Sequence, residues 1–221
     1  MTTNRNENAR MKLYGYPNSR ATRALWALEE AQAEYDYVHV DVKAGAGKDQ
    51  NYRAINPGGK VPTLVDGDLV ITESAAICLY VGEKYPQSGL LPPAGTPERA
   101  LCYRWICFAI SELEQPLWTI AKHRFVLPDE KRVPAVLQTA FWEFSVAAKV
   151  FVEGLGNRSY AVGQSFTAAD ILLGHTLAWA RSARIELGND FLRVYADRVL
   201  ARPALIRARE RAQEEAEQGT K

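Results

Sequence analysis

Two serines stand where a helix start could do chemistry. Ser19 follows Tyr16-Pro17-Asn18 at the head of one helical stretch, and Ser74 follows Glu73 at the head of another. A helix N-terminus presents unpaired N–H groups and the positive end of the peptide dipole, so either could face an anion. A hydroxyl in that place can also donate a charge-assisted hydrogen bond, and Glu73 could pair with an ammonium. Both serines suit the plain role of helix cap equally well, and Glu73 that of an acid in a first turn. Lys60 and Arg20 could add positive charge, although a lone lysine in a loop is usually solvated. Pro62 opens a strand after Val61, where a trans bond at a sheet edge is the ordinary reading. Thr167-Ala-Ala-Asp170 has the spacing of a capping box, with Asp in place of Glu or Gln, and is read as structural. His39, His123 and His175 show no ligand-like spacing. Cys78, Cys102 and Cys107 form no CxxC or CxxH pair, so neither a zinc site nor a disulfide framework is indicated. All three fall in apolar helical runs and read as buried small hydrophobes.

The elements that must hold these residues follow from periodicity. Residues 12–16 (KLYGY) make a short strand, and Ala21, Ala24, Leu25, Leu28 and Ala31 recur at helical spacing to about Glu30. In 35–42 (YDYVHVDV) β-branched and aromatic residues alternate with Asp and His, a second strand reached by a right-handed crossover. After a Gly/Lys-rich loop, VPTLV and LVIT flank Asp66-Gly67-Asp68, a hairpin signal. A helix from Ser74 to Tyr85 stops at Pro86. The order βαβ then ββα predicts a thioredoxin-like α/β domain. Pro86–Pro97 concentrates Pro and Gly and marks a boundary, beyond which helices are expected over about 98–125, 129–153, 167–183 and 190–216. Pro116 should kink or interrupt the first of these. The division is therefore a disordered lead-in at 1–10, a thioredoxin-like domain at 11–86, a linker at 87–97 and an all-α helical domain at 98–221.

Composition narrows the function classes. Among 221 residues, 27 Lys+Arg face 26 Asp+Glu, a balance that argues against a nucleic-acid binder. No run of 18 apolar residues occurs, and MTTNRNENAR lacks the apolar stretch of a signal peptide, so a cytoplasmic protein without membrane contact is expected.

Four stretches together resemble the cytosolic glutathione S-transferase family over about residues 11–210. They are YGYPNSRATRALWALEE, NPGGKVPTL, DGDLVITESAAICLYV and SFTAADILL, with KVPTL and ITES at their spacing the most specific. The P-x-S-x-x-T-R pattern is most similar to the serine-type, phi/theta-like bacterial classes. The resemblance implies a glutathione-binding domain in which Glu73 and Ser74 take the γ-glutamyl group, a cis Val61-Pro62 bond offers Val61 to the cysteinyl part, and Lys60 meets the glycyl carboxylate. Ser19 would be the catalytic residue, donating to sulfur rather than attacking, with Asn18 and Tyr16 as alternatives and Arg20 adding positive potential. Lowering a thiol pKa by two units needs about 2.7 kcal/mol of preferential thiolate stabilisation, within reach of one such bond plus a helix dipole. The second-substrate pocket would draw on Tyr14, Tyr16, Trp118 and Lys122. The expected activity is detoxifying transfer of glutathione to small hydrophobic electrophiles by a homodimer, with no cofactor beyond glutathione as co-substrate and no metal. Two rivals remain at this point: glutathione-dependent reduction of disulfides or peroxides on the same fold, with Asn18 contributing, and a non-catalytic interaction module.

Overall fold

The computed structural model describes residues 10–218, so the lead-in expected at 1–10 lies, apart from Arg10, outside the described residues. Contacts divide the chain into two compact units: one runs to Leu90 and resumes at Ala201, the other is Leu91–Leu200.

The first unit opens with β1 (Met11–Gly15), α1 (Ala21–Glu30) and β2 (Tyr35–His39), continues with α2 (Gln50–Ile55), and closes its sheet with β3 (Thr63–Asp66), β4 (Leu69–Thr72) and α3 (Ser74–Lys84). The strand order is β2-β1-β3-β4, with β1 parallel to β2 and antiparallel to β3. Leu13 sits at its centre, level with Tyr37 on one side and Leu64 on the other, and both leucines are fully buried. This is the thioredoxin-like arrangement expected from the element order. Gly15, the last residue of β1, must lack a side chain, since any Cβ there would lie 2.7 Å from the Tyr37 ring and 2.9 Å from the Ala21 side chain. α2 escaped the periodicity because six residues are too few to show a helical stripe. Its start is set by Asp49, whose side chain accepts from the N–H groups of Asn51 and Tyr52.

The second unit is helical. α4 (Pro97–Phe108) and α5 (Glu114–Ala121) run on through a π-helical turn at Ala109–Leu113, and a second π turn follows at Lys122–Val126. The interruption expected from Pro116 takes this form: proline has no N–H for the preceding turn, and the extra residue of a π turn absorbs the mismatch. α6 (Val136–Leu155) begins later than the expected 129, because Pro134 pushes Val133 out of helical backbone and leaves only a 3₁₀ turn at Asp129–Lys131. α7 (Ala168–Ser182) and α8 (Asp190–Leu200) complete the unit. Trp105 is buried against Phe151 at 5.1 Å between rings, and Phe151 against Tyr195 at 5.2 Å. The capping box at the head of α7 is present. Asp170 is fully buried and accepts from the N–H groups of Ala161 and Thr167 and the hydroxyls of Thr167 and Tyr195. Burial still pushes its carboxyl above the ordinary value, against the pull of those donors. Cys102 is buried on α4, but Cys107 is exposed, because the buried face of that helix passes through Cys102, Trp105 and Ile106.

The single helix expected over 190–216 is two. Pro203 disfavours helical backbone at Arg202 and opens α9 (Pro203–Gln218) as its first residue. Where the 98–221 division would keep this helix with the others, its contacts are with α1 and β2 in the first unit. As a result α1, amphipathic by its sequence, is buried at every position from Ala21 to Leu28. No described helix is long and apolar enough to cross a membrane.

Candidate active site

Ser19 lies in the loop that leads from β1 into α1. Its Oγ donates to the Tyr16 carbonyl at 2.6 Å and accepts from the Ala21 N–H at 3.1 Å. The hydroxyl therefore guards the first turn of α1, one position ahead of the capping residue Arg20. Asn18 beside it is exposed and holds a left-handed backbone at φ 54°, which asparagine tolerates better than most residues. Tyr16, just past β1, lies 5.5 Å from the His39 ring, and the Lys43 ammonium stands 5.5 Å over its face. A cleft of about 510 Å³ is lined by Tyr16, Asn18, Ser19, His39, Lys43 and Gln213 of α9, among others. All three residues considered for catalysis thus line one cleft. The Nδ1 atom of His39 is buried with no hydrogen-bond partner. Arg20 is half-buried in the same loop.

The second set of residues sits around the turn before β3. The Val61-Pro62 bond is cis, as the resemblance implies. Pro62 is buried, Val61 half-buried and Lys60 exposed. Three polar side chains hidden beneath the turn hold it in shape. Tyr52 of α2 donates to the Lys60 carbonyl at 2.6 Å and lies 3.0 Å from the Thr63 hydroxyl. The Asn56 amide donates to the same two oxygens at 2.7 and 2.9 Å. Tyr14 packs its ring 5.8 Å from Tyr52, on the outer wall of this network. Gly47 and Gly59 bring two loop backbones together, since a Cβ on either would come within 2.3 Å of the other's carbonyl oxygen. Tyr52, Asn56 and Thr63 were not singled out from the sequence. The signal available was the Asn-Pro turn in INPGGKVPTL, which marks a turn but not what lies under it.

Ser74 begins α3 and is buried, while Glu73 is exposed and forced to φ 67°. A non-glycine residue with such a backbone is strained, and such positions cluster at functional sites. The Ser74 hydroxyl accepts from Arg23 Nη1 at 3.5 Å. Arg23, on α1, is 1% exposed, so a guanidinium charge is buried behind the N-terminus of α3. It adds to the dipole there and makes the spot favourable for a carboxylate. The T-R pair of the first motif carried this residue, but helical periodicity put it on no polar face.

Trp118 and Lys122 belong to the helical unit. Trp118 is half-buried on α5, its ring 6.5 Å from Trp179, with the Lys122 ammonium 6.0 Å from its centre. They form a cation–aromatic stack within that unit.

Residues 9–83 match the family described as Glutathione S-transferase, N-terminal domain. The chain is 35% identical over 172 residues to glutathione S-transferase Z2 of Arabidopsis thaliana, covering 75% of this chain and 74% of that protein. Its structure is similar to that of a glutathione transferase from Methylococcus capsulatus, with a TM-score of 0.82 at 28% identity over 92% of this chain and 99% of the other. A sphingomonad glutathione S-transferase complexed with glutathione gives a TM-score of 0.79 at 27% identity, over 91% and 98% of the two chains. With sequence and sheet topology converging, the chain belongs to the glutathione S-transferase family.

Proposed function

We propose that this chain works as a glutathione transferase in which Ser19 stabilises the glutathione thiolate for attack on small hydrophobic electrophiles. The observation that carries the reading is the buried Arg23 guanidinium against Ser74 at the start of α3, a built-in counter-charge for the γ-glutamyl carboxylate. Glu73 beside it takes the ammonium. The cis Val61-Pro62 turn, held from below by Tyr52 and Asn56, presents Val61 to the cysteinyl part as an added strand, and Lys60 is exposed for the glycyl carboxylate. The sphingomonad structure with bound glutathione supports the same ligand.

Sulfur then meets the loop at the head of α1. There the Ser19 proton, engaged by the Tyr16 carbonyl in the free protein, turns to the thiolate, and the helix dipole and Arg20 add positive potential. Tyr16, Pro17 and Val42 supply apolar wall for the electrophile, with Tyr14 as a further candidate. Glutathione is the co-substrate, with no other cofactor, in a reducing compartment such as the cytoplasm. Reduction of disulfides or peroxides by glutathione is the second reading; it draws on Asn18, whose left-handed backbone presents it to the cleft.

The enzyme is proposed to act as a homodimer. On α6, Trp142, Val146 and Val150 follow each other at helical spacing and stay exposed, beside a groove of about 340 Å³ that Phe108 and Pro116 also line. Exposed apolar patches of this kind mark association surfaces.

Retention on immobilised glutathione and thermal stabilisation by it test the binding. Ser19→Ala should lower kcat/KM for a chlorinated aromatic electrophile by about tenfold or more, and move the thiol titration of the complex up towards about 8.5. If Ser19→Ala leaves turnover intact while Asn18→Ala or Tyr16→Phe abolishes it, the assignment of Ser19 is wrong.

A further inference from the structure

Arg202, just ahead of α9, and Arg207 and Arg211 on that helix are directed at two adjacent carboxylates of α1. Arg202 grips Glu30 with both arms of its fork, Nε to Oε1 at 2.5 Å and Nη2 to Oε2 at 2.7 Å. Arg207 donates to Glu29 Oε2 at 2.9 Å and to the Glu29 carbonyl at 3.3 Å, and Arg211 lies 3.5 Å from Oε1. The carboxylates are sheltered, with side chains 14% and 11% exposed. Neutral donors hold them from inside: Tyr35 donates to Glu29 at 2.6 Å and Trp26 to Glu30 at 2.9 Å. Arg211 also lies over the Tyr35 ring at 4.4 Å. Exposed single ion pairs contribute little, but forked pairs onto carboxylates already fixed by other bonds set a geometry.

That geometry matters because of what the rest of α9 does. Pro203 makes the helix a separate rod, so clasping its first half fixes the path of its second. Gln213 lines the cleft beside Ser19 and also a neighbouring cleft of about 430 Å³ beside Pro17 and Thr22. At 1.5 Å rise per residue, Gln213 stands only about 9 Å along the rod from Arg207. Its side chain is exposed, and its amide Nε2 donates to Glu217 at 3.0 Å.

We propose that Glu29 and Glu30 are positioning residues that hold α9 as one wall of the cleft beside Ser19, and that Gln213 is the side chain through which that wall selects the second substrate. A carboxamide favours electrophiles bearing a hydrogen-bonding group, such as a nitro or carbonyl oxygen, over purely hydrocarbon ones. The assignment rests on the proposed function of that cleft.

The test is steady-state kinetics with glutathione and 1-chloro-2,4-dinitrobenzene on the full chain. Gln213→Ala, on an exposed helix face, should raise KM for the aromatic substrate about threefold or more, leaving KM for glutathione within about twofold. Arg202→Gln combined with Arg207→Gln should do the same, and the paired lysine replacements, which keep the charges, should recover part of the loss. If Gln213→Ala leaves both KM values unchanged, the selecting role is overturned. If the double glutamine variant folds and does the same, the positioning role is overturned. Wild-type protein that neither turns over the pair nor gains thermal stability from glutathione would overturn the proposed function first, and this assignment with it.

Discussion

Asn56 shows how much of a turn can depend on one buried side chain. Its amide spans the Lys60 carbonyl and the Thr63 hydroxyl, tying the residues on either side of the cis bond together. Asn56→Ala should cost about 2 kcal/mol in thermal or urea unfolding, since it leaves buried acceptors short of a donor. It should also raise KM for glutathione more than it lowers kcat. A variant with unchanged KM would show that Tyr52 holds the turn alone. The proposed ligand residues Ser19, Lys60, Val61, Pro62, Glu73 and Ser74 were legible as candidates because their motifs are local in the chain. Arg23, Tyr52 and Asn56 were not, because a buried polar residue looks like any other polar residue until its partner across the fold is known.

At the scale of elements, periodicity located all four strands and most of the helices, and it failed where length or proline outweighed it. α2 is too short for a stripe, and Pro203 divides what looks like one amphipathic run. The β3–β4 hairpin was read from Asp66-Gly67-Asp68, but its connection to α3 was not. Asp66 accepts there from Tyr80 and Lys84, both on α3. Burial alone would raise the Asp66 pKa, yet these two donors hold it below the ordinary carboxylate value. For Lys84, burial would lower the value, and Asp66 raises it instead. A depressed acid contributes stability above its unfolded value and loses it as pH falls; a raised base contributes below its unfolded value and loses it as pH rises. The stability difference between wild type and Asp66→Asn should therefore be level between about pH 5 and 9 and shrink below about pH 4 and above about pH 10.4. Urea midpoints across that range measure it. A difference that widens on acidification would contradict the triad.

For the whole molecule, the chain leaves its first unit at Leu90 and returns to it at Ala201. The return is made by a helix whose composition, rich in Arg, Glu and Ala, reads as a solvated tail. The proposed homodimer belongs to this scale as well. If the exposed face of α6 forms it, Trp142→Glu should reduce the mass by light scattering from two chains to one while leaving the helical content unchanged. A variant that stays dimeric would move the interface elsewhere. The thioredoxin-like order of strands and helices, the boundary near residue 90 and the family were all readable from the sequence, because they are written in short-range patterns of hydrophobicity, turn residues and motif spacing. Folding alone brings α9 onto α1, Arg23 behind Ser74 and Arg202 onto Glu30. Those depend on pairing between residues distant in the chain, and a charge finds its counter-charge only after the hydrophobic core has set which surfaces face each other.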